Sequence, residues 1–198
     1  SIRHERVLMR MRTLRCLGCL VVLACVCGSS RGAAKKTLIA HGGAWTVRDK
    51  AVWSDGGPGP KLVATGTDFA DGQAGVEVYF DDKQGGNAAL MVHVSQAGVG
   101  ANNFIGYEIA LDPQRQVLRF GRHKHNFSLM KDIKTNVPLK RWVPLVVRIK
   151  GGLIEVDVDG KKIASMKNSR GFLPAGAVGL RPWTRKAGFR NLWVMRDG

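Results

Sequence analysis

The feature that most constrains this chain is a period of two. From residue 45 onward, apolar and polar residues alternate in short runs, and each run stops at Gly, Asp, Asn or Pro. The clearest runs are Val76–Phe80, Ala88–Ser95, Tyr107–Leu111, Val117–His123, Leu145–Lys150 and Leu153–Asp159. Lys162–Met166, Ala177–Arg181 and Phe189–Met195 follow the same rule. Alternation sends successive side chains to opposite faces of a strand, and no useful stretch repeats at the helical spacing. About a dozen short strands punctuated this way predict an all-β sandwich or barrel. Val158-Asp159-Gly160-Lys161 carries the Asp-Gly pair of a two-residue hairpin, and Lys150-Gly151-Gly152-Leu153 marks another tight turn. Three strands between Leu145 and Met166 are therefore expected to form a meander. Trp45-Thr46-Val47 and Ala51-Val52-Trp53, flanking Arg48-Asp49-Lys50, read as a first hairpin.

The same alternation assigns faces. Leu90, Val92 and Val94 are expected on one side of their strand, with Met91 and His93 on the other. Tyr107, Ile109 and Leu111 oppose Glu108, Ala110 and Asp112; Leu118 and Phe120 oppose Arg119, Gly121 and His123. The apolar sets must turn toward the space between the sheets. His93, Glu108, Arg119 and His123 are then left on an outer face, with His93 and Glu108 as neighbours if their strands pair. Glu155, Asp157 and Asp159 read as a solvated face with cross-strand charge pairing.

The N-terminal end has a different grammar. Arg10, Arg12 and Arg15 precede an apolar run from Leu17 to Val26, and the small residues Gly28, Ser29, Ser30, Gly32, Ala33 and Ala34 follow. Those are the parts of a secretory signal peptide, which assigns residues 1–34 to upstream sequence and export signal, and residues 35–198 to a single domain. All four cysteines (Cys16, Cys19, Cys25 and Cys27) fall in this stretch, where the context favours export over a redox or zinc site. Val22-Leu23-Ala24-Cys25 is a loose lipobox that would make Cys25 a lipid anchor. The expected location is secreted, periplasmic or cell-envelope. No apolar run reaches the roughly 18–20 residues that a membrane-spanning helix needs.

The formal charge is +16, and residues 35–198 keep 25 basic and 14 acidic side chains, net +11. The basic residues are scattered, without the interleaved aromatic stripe of a nucleic-acid surface. In an exported protein the excess points to anionic polysaccharide, cell-wall glycan or another anionic surface, and no nucleic acid is expected.

Gly42-Gly43-Ala44-Trp45-Thr46-Val47, Asp68-Phe69-Ala70-Asp71, Gly86-Asn87-Ala88-Ala89-Leu90 and Gly106-Tyr107-Glu108 come in a familiar order. Arg141-Trp142, Ile154 through Gly160, Gly176-Ala177-Val178-Gly179-Leu180 and Phe189-Arg190-Asn191-Leu192 continue it. Over about residues 42–195 the chain resembles the concanavalin A-like (LamG-type) jelly-roll superfamily. It is similar there to 3-keto-disaccharide hydrolase-like domains and to the fructan-binding modules of levanases. The resemblance implies two antiparallel sheets with a ligand in a concave groove or along its rim. Sugars are the usual ligands, and some members hold calcium. Gly86-Asn87-Ala88 stands where the hydrolase-like branch has Gly-Asn-Ser-Gly, and Leu180-Arg181-Pro182-Trp183 stands where Gln-Asp-His is expected. These departures argue against catalysis.

Candidate chemistry follows from residue types. Glycoside hydrolysis needs two carboxylates facing one groove. Beyond the leader the chain has only Glu77, Glu108 and Glu155, and Glu155 is expected on the other sheet. Asp157, Asp159 and Gly160 lack the acidic residue an EF-hand needs at 166, which is Met166, so no calcium motif is present and no cofactor is expected. Sugar binding requires planar hydrogen-bonding groups and an aromatic plate. Asn87, His93, Tyr107, Glu108, Arg122, His123, His125, Arg181 and Trp183 supply these at strand ends, with Glu and Arg together suiting vicinal hydroxyls. Tyr107 belongs to the core-facing set, and Trp45, Trp53, Trp142 and Trp193 read as core or edge packing. The favoured reading is a non-catalytic carbohydrate-binding domain. The alternatives are a 3-keto-glycoside hydrolase or lyase using Glu108 with His93 or His123, and a basic cell-envelope interaction module.

Overall fold

A computed structural model describes residues 5–6, 22–24, 37–167 and 171–197. Among these residues every regular element is a strand. They run β1 (Glu5–Arg6), β2 (Val22–Ala24), β3 (Thr37–His41), β4 (Trp45–Arg48), β5 (Ala51–Ser54), β6 (Lys61–Phe69), β7 (Gly72–Tyr79) and β8 (Asn87–Ser95). There follow β9 (Ile105–Asp112), β10 (Val117–Lys124), β11 (Phe127–Lys134), β12 (Trp142–Lys150), β13 (Leu153–Val158), β14 (Lys161–Lys167), β15 (Gly176–Trp183) and β16 (Ala187–Arg196). One sheet has the order β14-β13-β12-β7-β16-β5-β4, with β1 alongside β16; the other runs β11-β10-β9-β8-β15-β6-β3-β2. Every pairing is antiparallel, so the chain is a two-sheet jelly-roll sandwich. The expected signal segment lies outside the described residues except for Val22–Ala24, which pairs with Thr37–Ile39.

The turns follow from backbone chemistry. Asp159 and Gly160 both have positive φ, at 53° and 77°, as do Gly151 and Gly152, at 54° and 81°. Two consecutive left-handed residues match the right-handed twist of the flanking strands and close a two-residue hairpin. The meander β12-β13-β14 is the result. The first hairpin also forms, though Arg48 belongs to its strand and only Asp49 and Lys50 make the turn.

Between the sheets lies one continuous core. Leu90, Val92, Ile109, Leu111, Leu118, Phe120 and Leu180 come from one sheet, and Val76, Val78, Val143, Leu145, Val147, Ile154, Val156 and Phe189 from the other. Tyr107 is wholly inside, and its hydroxyl accepts the Leu173 amide at 3.1 Å. A second, smaller cluster of Val63, Met91, Val94, Phe104 and Ala177 sits apart from that core.

That second cluster exposes an error in simple alternation. Val94 joins Met91 in it, although parity paired Val94 with Leu90 and Val92. His93 has φ 55°, and the β8–β9 register slips between Val92 and Ser95. A β-bulge adds a residue without a partner and reverses the faces beyond it. His93 therefore points inward, ringed by Phe69, Tyr107 and Phe172, with Nδ1 3.2 Å from Leu173 O and Nε2 3.0 Å from Ala70 O. Burial holds its imidazole below the ordinary histidine value against the pull of those carbonyls. A neutral ring can donate to only one of them at a time.

Candidate functional site: a buried ion cluster beneath a cleft

Register brings Glu108 to the centre of the outer face of the second sheet. It pairs with Gly121 on β10 and Met91 on β8, so Glu108, Arg119 and His123 share that face as parity predicts. Glu108 Oε2 accepts two bonds, from His123 Nε2 at 2.7 Å and from Arg181 NH1 of β15 at 2.8 Å. All three side chains are buried despite lying on an outward face. The connection between β8 and β9, residues 96–104, explains this by folding back over the sheet. Phe104 stacks on the His123 ring, with centroids 4.0 Å apart. Arg181 NH2 donates to Ala101 O at 3.2 Å, and Lys61 Nζ donates to Gly100 O at 2.5 Å and Gly59 O at 3.3 Å. The segment is thus strapped down by two cations at its middle and one aromatic ring at its end.

Burial and charge set the protonation states. Burial by itself pushes the Glu108 carboxyl up, yet the Arg181 guanidinium and the His123 hydrogen bond hold it below the usual carboxylate range. Burial lowers His123, and the neighbouring Arg181 and Lys61 add to the effect, so the ring is neutral at pH 7 despite Glu108. Its proton sits on Nε2, facing the carboxylate, which leaves Nδ1 an acceptor; that atom is buried without a hydrogen-bond partner among the described residues. Lys61 is brought down to about 8, first by burial and then by Arg181, with Glu108 opposing.

A cleft of about 210 Å³ opens beside this cluster, lined by Asn87, Asn102, Glu108, Arg119, Phe127, Arg181 and Trp183. Trp183 forms a half-buried wall, with the Arg181 guanidinium 4.8 Å from its ring centre. Phe127 lies across Gly121, where a Cβ would meet its ring at 2.3 Å; only glycine lets the ring reach the cleft. Asn87 Oδ1 and Arg181 Nε are buried without partners among the described residues, an acceptor and a donor left over there. Buried polar atoms are normally paired, so such atoms beside a cleft are where a ligand would bond. Among the described residues, no group of three His, Cys, Asp or Glu is gathered as a metal-ligand set.

Of the residues singled out from sequence, Asn87, Glu108, His123, Arg181 and Trp183 converge here. Four do not. His93 and Tyr107 are core residues, for the reasons given above. Arg122 pairs with Tyr107 across β9 and β10, which puts it on the opposite face of β10 from His123, beside Lys124, Ser128 and Met130. His125, past the end of β10, is exposed and hydrogen-bonds Asn103 and Gln96 on the outside of the strap. Lys61, Phe104, Asn102 and Phe127 were not anticipated. Arg119, expected on the same outer face, makes a two-point bond to Asp132 at 3.0 Å. Lys61 carried one signal: a lysine directly after Gly59-Pro60 and directly before the apolar run Leu62-Val63-Ala64.

Known structures share this architecture at low sequence identity. A carbohydrate-binding module from Bacillus subtilis superposes with TM-score 0.67 at 18% identity, covering 78% of this chain and 92% of that one. A Bacillus subtilis protein with a galectin-like fold gives 0.64 at 13%, covering 78% and 87%. A prokaryotic β-1,3-1,4-glucanase (lichenase) from a mouse hindgut metagenome gives 0.57 at 10%, covering 77% and 82%. At these identities the likeness is one of fold. No curated protein sequence matches the chain. Residues 31–195, which span both sheets and every residue of the cleft, match one family throughout, and the chain belongs to the 3-keto-alpha-glucoside-1,2-lyase-like domain family.

Proposed function

We propose that the cleft binds one sugar residue of a glycan, without catalysis, in a protein exported by its N-terminal segment. The observation that carries this is the Glu108–Arg181 pair, set into the cleft floor beside Trp183 with Asn87 Oδ1 and Arg181 Nε still unspent. Vicinal hydroxyls need an acceptor and a donor side by side, and an indole wall suits the apolar face of a sugar ring. Both bonds to Glu108 land on Oε2, so Oε1 is the oxygen offered to a ligand hydroxyl. A carboxylate held below its usual pKa range is a good acceptor and a poor proton carrier near neutrality, which favours binding over acid–base work.

A second reading, a lyase or hydrolase acting on 3-keto-disaccharides, draws on the family membership and on the neutral His123 ring with its unspent Nδ1. Titration calorimetry against an oligosaccharide panel, run in parallel with a turnover assay on 3-keto-disaccharides, separates the two. Binding predicts that Trp183→Ala and Asn87→Ala each weaken the best glycan at least tenfold, about 1.4 kcal/mol, with the melting temperature unchanged. Turnover abolished in Glu108→Gln would replace binding by catalysis. Glycan affinity untouched by either cleft substitution would remove the site altogether.

A further inference from the structure

We propose that the sugar taken by this cleft carries a carboxylate, so that a uronic acid residue is preferred over its neutral counterpart. The inference rests on the glycan-binding reading above and adds the charge of the ligand.

The cluster beneath the cleft is short of one negative charge. Lys61 and Arg181 are both buried, and among the described residues the carboxylate set between them is that of Glu108. Arg181 takes Glu108 as its ion partner, whereas Lys61 is bonded to two backbone carbonyls. His123 is neutral and does not alter the sum. At the wall, Arg119, which lines the cleft, shares the carboxylate of Asp132 with Arg115. Asp112, next but one after Ala110 on the same face, accepts the Gln114 and Arg115 amides and lies in the field of both Arg119 and Arg185. Buried charges are ordinarily matched, because desolvating an unmatched ion is costly and its field is weakly screened. Here the net charge of the cluster is positive, two of its members, Glu108 and Arg181, line the cleft, and the buried Arg181 Nε–H has no acceptor among the described residues. A carboxylate oxygen makes a charge-assisted, stronger bond to that Nε–H than a neutral hydroxyl does. The fall of Lys61 to about 8 agrees with this, since Arg181 adds to burial in disfavouring its ammonium. The formal +16 of the chain draws polyanions from a distance but selects none of them.

The test is competition binding on the full chain at pH 7. Glucuronate- and galacturonate-terminated oligosaccharides are compared with their glucose- and galactose-terminated counterparts in about 0.15 M and 0.5 M salt. The uronates are expected to bind at least tenfold tighter and to keep most of that ratio at the higher salt, where exposed charges are screened within several ångströms. Lys61→Met narrows the ratio toward one. Raising the wild type to pH 9 does the same without any substitution, because it discharges Lys61, the group faced by His41 from β3, Arg181 from β15, Glu108 from β9 and His123 from β10. Equal or tighter binding of the neutral sugars overturns the proposal. So does a uronate preference that disappears at 0.5 M salt and is the same in Lys61→Met, which would be attraction to the general surface. If neither class binds, the glycan-binding reading itself has failed, and this inference with it.

Discussion

The outer faces of the two sheets begin from the same alternating pattern and end in opposite states. On β12, β13 and β14 the outward charges meet across strands in the open, as Arg148–Asp157 at 2.5 Å and Lys162–Glu155. Further along that sheet, Trp53 packs edge to face with Tyr79 and Trp142, which are tilted against each other, and Arg48 and Arg190 lie over the indoles at 4.2 and 4.4 Å. The Trp53 ring lies against Gly188 and the Trp193 ring against Gly75, flat on the sheet where no Cβ could fit. These tryptophans were expected in the core or at its edge; only Trp45 meets that expectation, packing on Phe189. On the other sheet the outward charges are covered by residues 96–104 and become an interior. The difference teaches that parity decides which way a side chain points, while a loop decides whether that direction leads to water.

Three measurements press on this contrast, in descending order of expected effect. Glu108→Ala strands Arg181 and Lys61 as buried, uncompensated cations, and a loss of about 3–5 kcal/mol is expected in urea unfolding. A loss under about 1 kcal/mol would mean that water reaches the cluster freely and the strap is no true cover. Lys61 gives the intermediate effect through pH. Between about 8 and 10.5 the unfolded chain holds the lysine proton and the folded one does not, so stability must rise with pH across that window. Relative to Lys61→Met, the wild type is expected to gain about 1–3 kcal/mol there. A flat difference between the two curves would show that the amine is solvated when folded. Smallest is Arg148→Ala on the open face, expected to cost less than about 1 kcal/mol and to lose its salt dependence at about 0.5 M. A cost comparable to that of Glu108 would erase the distinction between the faces.

Much of this was legible in the sequence because short-range chemistry fixes it. The Asp-Gly and Gly-Gly turns set the meander, and period two placed Glu108, Arg119 and His123 together on one outward face. What escaped depends on contacts distant in the chain or on a single irregular residue. The bulge at His93 has no compositional mark, since histidine is neither glycine nor asparagine, yet it reverses Val94 and turns a proposed ligand into a core residue. Arg122 was named as a ligand contact although the same alternation that placed His123 sends Arg122 to the other side of β10. Lys61 reaches the cluster from β6, and the ring over His123 comes from Phe104 at the end of the strap; neither neighbourhood follows from local pattern. Trp183 and Arg181 are legible as neighbours at the end of a strand, and β15 runs through Pro182 to close beside the cleft.

The strap is also the most replaceable part of the binding site. It begins and ends on adjacent strands of one hairpin, and its interior neighbours are the outward faces of β6, β10 and β15, not the layer between the sheets. Lengthening or rewriting residues 98–103 would change the shape and polarity of what the cleft admits and leave the core between the sheets untouched. A scaffold with that arrangement can acquire new specificities through insertions in one surface loop, with Lys61 and Arg181 as standing anchor posts for each replacement.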